Sequence, residues 1–150
     1  MRIYLTMIDD TKEAEIALRF AARRAVKTGG GVEILALIPP QEFIAFGGVQ
    51  ATIEEEQRRH AEGLVARAAG TILEESGLRP SITVRTGDAP KVIRELIEAN
   101  PEIAALVLGA APGGAPGDLV AHFAQNPGAL PVPLMIVPGG LDREAIDRLS

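Results

Sequence analysis

Residues 84–110 read VRTGDAPKVIRELIEANPEIAALVLGA, and the succession of patterns inside this stretch decides the fold. Ile82 to Val84 lies in a strand that Gly87 ends. Pro90 stands where the first turn of a helix tolerates a residue without an N–H. Val92, Ile93, Leu96 and Ile97 then recur at helical spacing and form one apolar face. Ile103 to Leu108 is an unbroken apolar run, too short for a helix of its own and suited to a strand buried on both faces. Two such strands joined through a helix imply a parallel crossover.

The same grammar extends in both directions. Ile3 to Ile8 is a β-branched, apolar run that stops at Asp9 and Asp10. Asp10 with Glu13 forms a capping-box pattern, followed by Ala14, Ala17, Leu18, Ala21, Ala22 and Ala25 at helical spacing. Gly29 to Gly31 end that helix, and Val32 to Ile38 is a second strand closed by Pro39 and Pro40. A loop with Phe43, Phe46, Gly47 and Gly48 is expected from Gln41 to Ala51. Thr52 with Glu55 then reads as the cap of a long helix ending near Ser76 and Gly77. Beyond Gly109 the pattern gives a Gly/Pro loop and a short helix over about 118–125. A fifth strand over Pro133 to Val137 and a terminal amphipathic helix over Leu141 to Leu149 follow. The expectation is an α/β fold, a doubly wound five-stranded parallel sheet with helices on both faces. It occupies residues 1–138, and residues 139–150 form a helical tail.

Composition sets the limits on chemistry. At 150 residues, 47% hydrophobic and 23% charged, the chain is long enough for one domain with its own core. A net charge of −5 leaves no electrostatic footprint for nucleic acid or an anionic membrane. The absence of cysteine excludes disulfides and thiolate catalysis. The opening apolar run meets two aspartates before it reaches the length of a signal-peptide core, and no stretch approaches a membrane span. A cytoplasmic location is the expectation.

In an open doubly wound sheet, ligands bind beyond the carboxyl ends of the strands, where the winding reverses. With three strands wound one way and two the other, that crevice opens between the first and fourth strands. Met7, Asp9 and Asp10 fall on one side of it, and Gly109 to Asp118 on the other.

Several segments carry a family resemblance. MIDDTKEAEIALRFAARRA (7–25) resembles the first strand and helix of universal stress proteins, with Asp9 at their strand-end aspartate. ILALIPP (34–40) is similar to the end of their second strand. Residues 84–110 resemble their strand, Gly-Asp turn, helix and apolar strand, and VPLMIVPG (132–139) their last strand. The resemblance implies a Rossmann-like fold of the adenine nucleotide alpha hydrolase kind and a homodimer through the fifth strands, here Val132 to Val137. In some members it also implies an ATP site carrying G-x2-G-x9-G-S/T after the fourth strand. On that reading ATP or another adenine nucleotide would meet Met7, Asp9, Leu37, Leu108, Gly109, Gly113, Gly114, Gly117 and Asp118. Asp9 would accept from ribose hydroxyls, and Leu37 would pack on adenine.

The loop itself, GAAPGGAPGDLVAHF (109–123), departs from the motif. Gly109 matches its first glycine, but Pro112 occupies the second glycine position and the loop is several residues short. Pro112 and Pro116 have no N–H to offer a phosphate. Asp118, read as a helix cap, stands where the family has a hydroxyl, and a carboxylate 4 Å from a phosphate charge repels it by about 1 kcal/mol even in water. No Lys or Arg lies in the loop, and no GKS or GKT occurs. A modified nucleotide pocket and a merely connecting loop both remain open readings.

Other candidates have plain explanations. His60 and the pairs Arg23–Arg24 and Arg58–Arg59 suit solvated helix faces. Asp118 and His122, four apart, suit a surface pair rather than a metal site, for want of a third ligand. No Ser, His and Asp are gathered for a hydrolytic triad. Phe43 and Phe46 suit packing against the long helix, and the bare apolar edge of the fifth strand invites a partner strand. Leu141, Ala145, Ile146 and Leu149 form a stripe suited to packing across a dimer. The order of expectations is a stress-response binding module with at most slow ATP hydrolysis, then a pocket-less interaction module, then a nucleotide-dependent enzyme.

Overall fold

The structure, a computed structural model, describes residues 1–40 and 47–150. The anticipated loop phenylalanines, Phe43 and Phe46, lie outside them. The chain runs β1 (Ile3–Met7), α1 (Lys12–Thr28), β2 (Gly31–Ile38), α2 (Gly47–Ser76), β3 (Ser81–Thr86), α3 (Ala89–Ala99), β4 (Ile103–Ala110), α4 (Asp118–Gln125), a 3-10 turn (Pro127–Ala129), β5 (Leu134–Pro138) and α5 (Arg143–Leu149). The strands form one sheet in the order β3-β2-β1-β4-β5, and every pairing is parallel. The chain therefore steps outward from β1 through β2 to β3, then crosses to the other side of β1 to lay down β4 and β5. The winding reverses between β1 and β4, as the strand pattern predicts.

Burial on both faces explains why the strands are almost continuously apolar. Tyr4, Ile34, Ala36 and Val107 belong to a core with α1, α2 and Ile146 of α5. Leu5, Leu35 and Leu106 point the other way, into a core with Ile93 of α3 and Phe123 of α4. Leu5, Ile34, Leu35, Leu106 and Val107 are fully enclosed, each contributing roughly 1.5–3 kcal/mol by leaving water. The small face of α1, with Ala17, Ala21, Ala22 and Ala25 all buried, lets the helix lie close across the centre of the sheet.

Several local expectations are corrected. Helix α1 is capped by Thr11, whose hydroxyl accepts from the Ala14 N–H. Asp10 sits one residue too early, so Glu13 occupies the second helical position instead of the third that a capping box requires. Helix α2 begins at Gly47 rather than Thr52; glycine lowers helix propensity without forbidding the helix. At the other end Asp118 is the first residue of α4, not its cap. Gly117 holds the cap position, with no side-chain hydrogen bond.

The tail also differs from expectation. Strand β5 starts at Leu134 and, among the described residues, bonds only to β4 and leaves one edge free, with Ile136 exposed. Helix α5 packs on α1 of its own chain. Ile146 is buried while Leu149 is exposed. Arg23 forms an ion pair with Asp147 at 2.9 Å, and Arg24 donates to the Ser150 carbonyl at 3.1 Å. This pair of arginines is thus spent on holding α5, where solvated faces were expected.

Candidate functional site

The parallel arrangement brings the carboxyl ends of β1 and β4 side by side, and the chain leaves each strand into a helix start. Between these exits lies a cavity of about 320 Å³. Met7, Asp9, Leu108, Gly109, Gly117 and Asp118, all anticipated from the sequence, line it. Gly113 and Gly114 do not. Their positive φ values, 72° and 59°, shape the loop's outward turn, and the Ala111 N–H donates to the Pro116 carbonyl at 3.1 Å, closing the loop on itself. Leu37 borders a second cavity of about 250 Å³, with an apolar wall that includes Ile8, Ala36, Pro39 and Leu64. Asp9 borders both cavities.

The position of Asp9 follows from local hydrogen bonding. Its Oδ1 accepts from the Thr11 N–H at 2.8 Å and from the Thr11 hydroxyl at 2.5 Å. The same hydroxyl accepts from Ala14, so one threonine both caps α1 and orients the carboxylate. Asp10 turns the other way, and its Oδ2 lies 2.8 Å from Nε2 of His60 on α2. Both of these side chains are exposed, and an ion pair of that kind contributes little to stability.

Gly109 has a reason of its own. A Cβ built there would overlap the carbonyl oxygen of Glu13. The first glycine of the loop thus lets the start of α1 press against the end of β4. Gly139 is similarly confined: its Cβ would come within 2.7 Å of the Glu13 Cβ and 3.3 Å of the Pro112 Cδ. This packing fixes Glu13 in the cavity wall.

Helix α4 completes the site. Its first intrahelical bond runs from the Ala121 N–H to the Gly117 carbonyl at 3.0 Å. The N–H groups of the first turn have no side-chain cap, whereas Thr11, Asp88 and Asp142 cap α1, α3 and α5. The expected Asp118–His122 pair is not formed. His122 packs edge-on against Phe123, with ring centroids 5.0 Å apart. Among the described residues no three or more His, Cys, Asp or Glu side chains are grouped to hold a metal ion, and no helix is long and apolar enough to cross a membrane.

Reading the sequence missed Thr11, Glu13, Ala14, Pro116, Leu119 and Val120 as cavity residues. The signal for the first two was available. They lie two and four positions after Asp9, in the helix start that faces the crevice.

The sequence matches the model of the Universal stress protein family over residues 1–138. No curated protein matches it in sequence. Among solved structures it is similar to universal stress protein UspA from Lactobacillus plantarum, with 17% identity, a TM-score of 0.78, and 91% of this chain and 97% of that one covered. The universal stress protein from Archaeoglobus fulgidus in complex with dAMP is 18% identical, with a TM-score of 0.62 and coverage of 91% and 97%. A family member from Arabidopsis thaliana with AMP bound is 14% identical, with a TM-score of 0.60 and coverage of 92% of each chain. At these identities the structural likeness speaks for the fold, and the sequence match extends through β5. The chain belongs to the universal stress protein family.

Proposed function

We propose that this protein is a stress-response regulatory module that binds an adenine nucleoside or nucleotide in the crevice between β1 and β4. It signals by occupancy and not by turnover. The observation that carries this reading is the meeting of Asp9, Gly109 and the uncapped start of α4 around one cavity at the point where the sheet's winding reverses. The ribose is assigned to Asp9, which Thr11 holds by Oδ1 alone, leaving Oδ2 to accept from a sugar hydroxyl. The base is assigned to the apolar cavity bordered by Leu37, and the 5′ end of the sugar to the side of α4. Neighbours of the same fold seen with dAMP and AMP support this class of ligand. The free edge of β5 supports a homodimer formed through that strand.

Titration calorimetry and thermal shift with adenosine, AMP and ATP test the reading. A ligand at a hundred times its Kd adds about 2.7 kcal/mol to folding stability, which for a chain of this size raises the melting point by roughly 5–10 °C. Asp9→Ala is expected to weaken binding at least about tenfold, or about 1.4 kcal/mol. Equal binding by the variant would move the site elsewhere. No response to any of the three ligands would favour the pocket-less interaction module.

A further inference from the structure

The walls of the crevice carry a charge pattern that sets which form of the ligand they accept. Three acidic residues, Asp9, Glu13 and Asp118, are among those that line the cavity, and no Lys, Arg or His is among them in the described residues. The starts of α1 and α4 oppose them with partial positive charges, together worth about one elementary charge. The acid side chains therefore dominate. Apart from the uncapped first turn of α4, the backbone of the loop adds little in compensation. Pro112 and Pro116 have no N–H to donate, and the Ala111 N–H is already bonded to Pro116. Of the loop's glycines, Gly113 and Gly114 lie outside the cavity wall, and only Gly109 and Gly117, at its two ends, line it.

Building on the nucleoside-binding reading above, we infer that the crevice takes its ligand as the uncharged nucleoside and discriminates against each phosphate added to it. Glu13 and Asp118 are the selectivity determinants. With the ribose on Asp9 as proposed above, a 5′ phosphate would enter the part of the cavity whose wall also holds Glu13, half-buried at the start of α1, and Asp118, exposed at the start of α4. Solvent reaches that space, so the discrimination is moderate. One like-charge pair at 4 Å in water corresponds to about a fivefold loss of affinity, and two carboxylates acting on a phosphate give about tenfold or more.

The test is a calorimetric series on the full chain with adenosine, AMP and ATP, each with and without magnesium, on the parent and on Glu13→Gln, Asp118→Asn and the double variant. The expected order is adenosine tightest, then AMP, then ATP. The adenosine-to-AMP affinity ratio is expected at about ten or above in the parent and near one in the double variant. A second measurement does not depend on the variants folding. Raising salt from about 0.1 M to about 1 M shortens the screening length from about 10 Å to about 3 Å and should narrow the ratio in the parent. AMP or ATP binding as tightly as adenosine overturns the inference while leaving nucleoside binding intact. So does a ratio that neither neutralisation nor salt changes. Failure of all three ligands to bind overturns both.

Discussion

β3 and β4 both deliver the chain to a helix at the same carboxyl edge of the sheet, and both do so next to a glycine. After β3 the passage is short: Gly87 turns at φ 149°, Asp88 follows, and α3 begins with a proline in its first turn. The Asp88 side chain accepts from the Lys91 N–H at 3.3 Å, so this helix start is satisfied by its own sequence. After β4 the chain wanders through two prolines and three positive-φ glycines before α4 begins, and no side chain caps the helix. The first junction is closed and serves the fold. The second leaves backbone donors facing a cavity and surrounds that cavity with acids. The contrast separates a turn whose needs are all met locally from one left incomplete where a ligand would sit.

Substitutions can break or sharpen this contrast. The largest expected effect is Gly109→Ala, because the added methyl meets the backbone of Glu13 and not the flexible end of a side chain. A loss of about 3 kcal/mol is expected, at the upper end for overpacking, lowering the melting point by roughly 6–12 °C. Gly113→Ala has open space around its Cβ and bears only the strain of φ 72°, about 1–2 kcal/mol. Equal melting points for the two variants would deny that β4 is pressed against α1. Next comes Asp88→Ala, which removes a working cap and is expected to cost about 1 kcal/mol. Asp118→Ala removes no cap and should stay within about 0.5 kcal/mol of the parent. Urea midpoints resolve this difference. An Asp118 variant as damaged as the Asp88 variant would make the two junctions alike.

The sequence revealed most where local pattern and global packing agree. The apolar runs at Ile3–Ile8, Val32–Ile38 and Ile103–Leu108 lie in or across the observed strands β1, β2 and β4, because burial on both faces leaves no other reading for short β-branched runs. The reversal between β1 and β4 followed from the crossover rule. Caps were harder. Asp10, Thr11 and Asp118 are all plausible capping residues by type, and only backbone geometry selects Thr11 and rejects the others. The extension of α2 back to Gly47 was hidden by two glycines that usually mark a loop. At the site, Met7, Asp9 and Gly109 were legible from strand ends, Gly117 and Asp118 from the loop and helix start after β4, and Leu108 from the family resemblance. Glu13 was not, because the Asp10–Glu13 spacing reads as a capping box and spacing alone does not show that the residue borders the crevice. The division of Leu37 from the other candidates, across Asp9, depends on which side of the sheet edge each side chain leaves. One-dimensional spacing does not carry that information.

The most direct measurement is an amide chemical-shift titration of the labelled protein with adenosine. The account predicts that perturbations concentrate at Asp9, Thr11, Gly109 and the first turn of α4 from Gly117 to Val120, while Asp88 to Lys91, at the capped start of α3, stay still. Saturable binding that moves the α3 start, or that leaves Asp9 and the α4 start unmoved, would contradict it.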